Sequence, residues 1–178
     1  MYHDPVWEQL ELKSASIMGK WSQLILGTYP ADTVNFLQHE RDRFINPVGC
    51  IISQETKTIY DELLHGMNLE KLTTSLNEII RVRSVQDFSP SQAIGFIFLL
   101  KQAAREELAS EVAGNRISEE LLDFESRIDR LALLAFDIYM ECREKVYEVR
   151  VNEVAAQREM ALRILARTNE MDETSEAT

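Results

Sequence analysis

Apolar residues recur along this chain at steps of three and four, the spacing of helices that each bury one face. Leu10, Ile17, Trp21, Leu24 and Ile25 predict a first helix that stops near Gly27, and Tyr29-Pro30 breaks the chain behind it. Asp32 or Thr33 is placed to cap a short second helix that turns Val34, Phe36 and Leu37 inward. After the turn signal Asn46-Pro47 and Gly49, a third helix carries Ile51, Ile52, Ile59, Leu63 and Leu64 and ends at Gly66. Asn68 caps a fourth, whose stripe is Leu72, Leu76, Ile79 and Ile80. Ser89, Pro90 and Gln92 spell the next N-terminus: a cap, proline at the first helical position and a capping-box partner. The fifth helix then holds Ile94, Phe96, Ile97, Phe98, Leu99 and Leu100, apolar on most sides, which predicts a central place in the fold.

The last segment is different in kind. From a cap at Ser118 to about Arg167 there is neither proline nor glycine, so one long or kinked helix of roughly 75 Å is predicted. The alternative is two helices broken near Asn152, where the seam weakens. That seam, Leu121, Phe124, Ile128, Leu131, Ala135, Ile138 and Cys142, suits a partner helix. The expectation is a two-fold dimer with Leu121, Ile128, Leu131, Ile138 and Cys142 at its interface. The pattern divides the chain into a helical bundle over 1–117, a long helix over 118–167 that packs on the bundle and at the dimer interface, and a disordered acidic tail over 168–178.

Composition sharpens this picture. Six glycines and four prolines in 178 residues are few, and with 45% hydrophobic and 28% charged residues the chain reads as an ordinary all-α globular protein. A formal net charge of −11 argues against nucleic acid and against an anionic membrane surface as partners. The N-terminus has no basic region followed by an apolar run, and Ile94 to Leu100, the longest apolar cluster, is far too short to span a bilayer. A cytoplasmic location is the expectation. Cys50 and Cys142 form no CxxC and sit in apolar helical patterns, so both are expected reduced and packed.

No catalytic constellation stands out: the chain has no GxSxG, no glycine-rich phosphate loop, and no cysteine with a histidine and acid nearby in sequence. Glu62 and His65 make a single Glu-x-x-His pair, but the position three before His39 is Phe36, so the second half of a di-iron motif is missing and no metal site is expected. The aromatic residues could line a pocket, though core positions explain them as well. Polar residues at the helix junctions are the stronger candidates. Asp42, Arg43 and Asn46 share one junction; Arg81, Arg83, Gln86 and Asp87 share another. Ion pairing between an arginine and Asp42 or Asp87 would fix loop geometry, whereas a free arginine there would suit a small anion or polar signal. Arg43, Asn46, Arg81, Arg83, Gln86 and Asp87 are therefore the candidate ligand or partner site.

Three stretches, DRFINPVG, RVRSVQDFSPSQA and FIFLLK, resemble the N-terminal sensory domain of RsbRD-type RsbT co-antagonists, proteins of the bacterial stressosome. The resemblance runs from about Trp21 to Leu108 and more loosely along the final helix. It implies a globin-like helical bundle without haem, dimerisation through helices, and a linker helix that leads into a phosphorylatable STAS domain. It also implies a sensor or interaction module rather than an enzyme, with no cofactor, an unidentified protein partner and a possible small-molecule signal. Nothing resembling a STAS domain follows the linker-like helix here, so the expectation covers the sensory half and not antagonism of RsbT. A haem- or small-ligand-binding globin-like sensor is the alternative, with His39 and His65 the histidines inside the bundle region.

Overall fold

The computed structural model describes residues 6–30, 33–34, 42, 44–86, 88–109 and 119–176, with side chains described up to residue 164. Every regular element among them is helical, so the fold is all-α. The elements are α1 (Val6–Leu12), α2 (Ser14–Leu26), α3 (Pro47–His65), α4 (Leu69–Val85), α5 (Pro90–Gly95), α6 (Leu99–Glu107) and α7 (Glu119–Glu176). The short helix expected around Val34, Phe36 and Leu37 falls mostly outside the described residues, as do His39, Arg43 and Asp87.

Caps set the starts of the middle helices. Asn46, almost fully buried, precedes Pro47 at the first turn of α3 and accepts a hydrogen bond from the Gly49 N–H at 2.9 Å. Asn68 accepts from the Lys71 N–H at the head of α4. Ser89 and Gln92 form a reciprocal capping box: Ser89 Oγ accepts from Gln92 N, and Gln92 Oε1 accepts from Ser89 N.

Two helices predicted as single elements from the sequence are each divided in the structure, and a tertiary contact lies at each division. The first breaks at Lys13, whose ammonium donates to the Glu107 carbonyl at 2.8 Å. The fifth breaks at Phe96–Phe98, where the N–H groups of Ile97, Phe98, Leu100 and Lys101 reach back three residues instead of four. That tightening leaves the Phe96 carbonyl free of the ladder, and Trp21 Nε1 donates to it at 2.8 Å inside the core. Trp21 and Phe96 stack there, both fully buried. The C-terminus of α3 falls at Gly66, as its sequence signal predicts. Gly66 is extended, and Met67 takes the left-handed conformation at φ 52°, its N–H bonded to the Glu62 carbonyl at 2.7 Å.

The chain divides into two compact units, Met1–Met140 and Glu141–Thr178, so the first part of α7 belongs to the bundle. Phe124 packs edge-on against Trp7 and Tyr60, and Tyr60 Oη donates to the Leu10 carbonyl at 2.8 Å. Arg127 spans two elements: Nη1 donates to the Leu63 carbonyl near the end of α3, and its guanidinium lies 4.3 Å from the centre of the Trp7 ring. Arg105 of α6 grips Glu125 with two parallel bonds of 2.5 and 2.8 Å. In the second unit, α7 continues unbroken through Asn152 and past Arg167, with residues 147–164 exposed.

The seam expected to meet a partner is instead consumed within the chain. Leu121, Ile128, Leu131 and Ile138 are 3%, 0%, 1% and 5% exposed, because the bundle's own helices cover them. Cys142, in the second unit, is half-buried. Among the described residues, the large apolar side chains α7 leaves uncovered are others: Leu122, Leu133, Phe136 and Met140 in the first unit, and Tyr147, Val149, Val151, Val154, Met160, Leu162 and Ile164 in the second.

Two outcomes follow from the caps. Ser89→Ala should cost about 1 kcal/mol, seen as a lowered denaturant midpoint with unchanged slope. Glu62 is the second case. Its carboxylate accepts from Lys71 Nζ at 2.6 Å and from the Asn68 N–H, and these bonds hold it below the usual carboxylate range. A depressed folded-state value stabilises at neutral pH, and that contribution disappears as pH falls through it. Glu62→Gln should therefore unfold at a lower midpoint than the parent at pH 7. The gap should close only once the pH has fallen through that depressed value, below the usual carboxylate range, where both side chains are neutral.

Candidate functional site

The end of α2, the last turn of α4 and the start of α5 converge on one side chain. By sequence alone Arg83 continues the stripe Leu72, Leu76, Ile79 and Ile80, a core position three and four residues on. In the structure its guanidinium is 0% exposed. Nη2 donates to Thr28 Oγ1 at 3.1 Å and to the Gln92 carbonyl at 3.0 Å. Three rings surround the cation, with centres 4.2 Å (Phe88), 5.2 Å (Tyr29) and 5.5 Å (Phe96) from Cζ. Tyr29 and Phe88 meet edge-on at 5.2 Å, forming a corner over the guanidinium.

The hydrogen-bonding capacity of this cluster is only partly used. Arg83 Nε and Nη1, the Tyr29 hydroxyl and Gln86 Oε1 are buried with no hydrogen-bond partner among the described residues. The guanidinium thus keeps three N–H bonds unspent, one on Nε and two on Nη1. No ion pair to Arg83 occurs among the described residues. Burial pushes the arginine below its ordinary value, partly offset by Tyr29. Burial pushes the Tyr29 phenol up, against the lowering effect of Arg83, so at neutral pH it keeps its proton. A pocket of about 640 Å³ adjoins the cluster, lined in part by Thr28, Tyr29, Gln86, Phe88 and Gln92.

The sequence-derived candidates therefore separate. Arg83 and Gln86 lie together at this junction. Arg81 is exposed on the other side of α4, Asn46 serves as the α3 cap, and Arg43 and Asp87 lie outside the described residues. Thr28, Tyr29, Phe88 and Gln92 complete the cluster and were not singled out. Tyr29 reads in sequence as part of a break and Gln92 as a capping partner. An arginine on an apolar stripe was the available signal.

Other chemistry finds little here. Among the described residues no group of three or more histidine, cysteine, aspartate or glutamate side chains is placed to hold a metal ion. His65 is exposed at the end of α3, its Nδ1 against the Asp61 carbonyl and its Nε2 3.5 Å from Glu11. No described helix is long and apolar enough to cross a membrane.

Residues 15–154 match the family described as the RsbT co-antagonist protein rsbRD N-terminal domain. An uncharacterized protein of Archaeoglobus fulgidus is 26% identical over 150 residues, which cover 82% of this chain and 87% of that protein. No solved structure matches.

A buried cation with no ion pair among the described residues makes a stability prediction of its own. Replacing such a charge by an apolar side chain of similar length is often neutral or stabilising, whereas truncation leaves a cavity. Arg83→Met should unfold at or above the parent midpoint, and Arg83→Ala should lose about 2–4 kcal/mol. A Met variant as damaged as the Ala variant would make the arginine a structural keystone.

Proposed function

Because the chain belongs to the family of RsbT co-antagonist protein rsbRD N-terminal domains, we propose that it is a non-catalytic signal-sensing and interaction module of the stressosome co-antagonist type. The match carries this reading: it spans α2 through the bundle and well into α7, the element suited to be the output. A signal bound at the α2–α4–α5 junction shifts the packing of the bundle, and α7 transmits the shift to a protein partner. Such coupling requires that the signal bind two packings with different affinity. The tertiary bonds from α7 to α1, α3 and α6 give a route for it.

The proposed assembly is a homodimer in the cytoplasm. Its contact differs from the seam first expected, since that seam is already buried within one chain. Leu133, Phe136 and Met140 follow one another at steps of three and four on one helix, with Tyr147, Val151 and Val154 at steps of four and three further on; all are more than 40% exposed. A second copy of α7 is the occupant that suits such strips, since one patch then serves both subunits. The haem-binding alternative gains nothing from His65, which is tied to Asp61 and Glu11 at the surface.

Light scattering coupled to size exclusion should give about twice the 20.5 kDa chain mass at micromolar concentration. Phe136→Glu with Tyr147→Glu should give a folded monomer, whereas Ile128→Glu should unfold the bundle. The parent should co-purify with STAS-domain proteins of its host, and the monomeric variant should not. A parent that is monomeric and captures no STAS-domain protein would end this reading.

A further inference from the structure

Among the described residues, the two other buried charged side chains of the bundle have ionic partners: Glu62 has Lys71, and Glu125 has Arg105. Arg83 is the most deeply buried of the three and has none among the described residues. Acidic residues outnumber basic ones 30 to 19, so its isolation does not reflect a shortage of carboxylates. A guanidinium held out of water by three rings, with donors unspent, is incomplete until an acceptor arrives. We propose that Arg83 anchors a binding site for a small monocarboxylate with an apolar or aromatic body, which enters from the adjoining pocket by displacing Phe88. This deepens the sensing role proposed above and rests on it.

The ligand class follows from the surroundings. One guanidinium balances one negative charge. A phosphate, with ~1.5 or more negative charges at pH 7, would stay under-compensated in a chain of net charge −11. The Tyr29 hydroxyl, unpartnered and protonated, is a further donor to a carboxylate oxygen. Tyr29, Pro30 and Phe88 supply apolar surface for the body of the ligand, and about 640 Å³ is within the range of small-molecule pockets.

Phe88 is the side chain that separates the two spaces. It lines the pocket on one side and sits 4.2 Å from the guanidinium carbon on the other. It is half-buried and lies in the connector between α4 and α5, so its ring can swing out without breaking a helical hydrogen bond. Closed, the ring covers the cation with its π face and leaves the N–H groups unspent; open, it exposes them to the ligand. The exchange of a ring for a carboxylate moves the connector that positions α5 against α4, which is the differential contact a sensor needs.

Calorimetric titration of the full chain with benzoate, benzamide and inorganic phosphate tests this. Benzoate should bind saturably, with benzamide and phosphate each at least about tenfold weaker. In the parent protein the Arg83 Nε–Hε resonance should shift on benzoate addition and stay in place with benzamide. Arg83→Met should abolish benzoate binding, and Phe88→Ala should strengthen it by removing the cost of opening. Equal binding of benzoate and benzamide would overturn the proposal, as would tighter phosphate binding, an unmoved Nε–Hε resonance or undiminished binding by Arg83→Met. Asp87→Asn should leave benzoate binding unchanged. If that variant binds benzoate while the parent does not, Arg83 has an internal counter-ion and the proposal falls. None of these failures would touch the dimer or the capture of STAS-domain proteins.

Discussion

A guanidinium withdrawn from water loses several kcal/mol of hydration, and a fold keeps one inside only where the surroundings return much of that loss. Arg83 recovers part of it through two hydrogen bonds from a single nitrogen and through three aromatic faces. These contacts come from four separate stretches of chain: the end of α2, the α4–α5 connector, α5 itself and the turn that follows it. All of them meet around one cation where α2, α4 and α5 come together. The Phe96 ring that faces Arg83 also stacks on Trp21, and the Phe96 carbonyl takes the indole N–H. The polar junction and the apolar core thus share a residue.

The start of α7 is bound to the bundle by a different set of forces. Its apolar seam gains the ordinary return of burial, and Phe124 gains edge-on ring contacts with Trp7 and Tyr60. Two charge-assisted contacts then fix its register: Arg105 on Glu125, and Arg127 on the Leu63 carbonyl. Arg127 completes the end of α3 in the way a cation near a helix C-terminus does, although it comes from another element. The same part of the helix leaves Leu133, Phe136 and Met140 uncovered.

Much of the architecture was legible before any coordinates. Helix periods, the Asn46, Asn68 and Ser89 caps and the all-α class follow from nearest-neighbour rules, because a cap or an apolar stripe involves residues within a turn or two of one another. The family likeness was legible from the stretches that carry those caps and junctions. The break at Lys13 and the tight turn at Phe96–Phe98 were not; each lies where the chain meets a partner far away in sequence, the Glu107 carbonyl in one case and the Trp21 indole in the other.

The candidate site divides in the same way. Sequence placed Arg83 and Gln86 at a helix junction as candidates for a ligand or partner, and it read the α7 seam as apolar at heptad spacing. It could not say what covers an apolar stripe, because a period records only that one face avoids water. Tertiary packing decided that Leu121, Ile128, Leu131 and Ile138 are covered by their own bundle and that Leu133 and Phe136 are not. It likewise brought Thr28, Tyr29, Phe88 and Gln92 to the guanidinium, from as far as fifty-five residues away along the chain. Local chemistry determines which residues want to be buried or capped; only the folded chain determines which neighbours they share and which polar atoms are left without one.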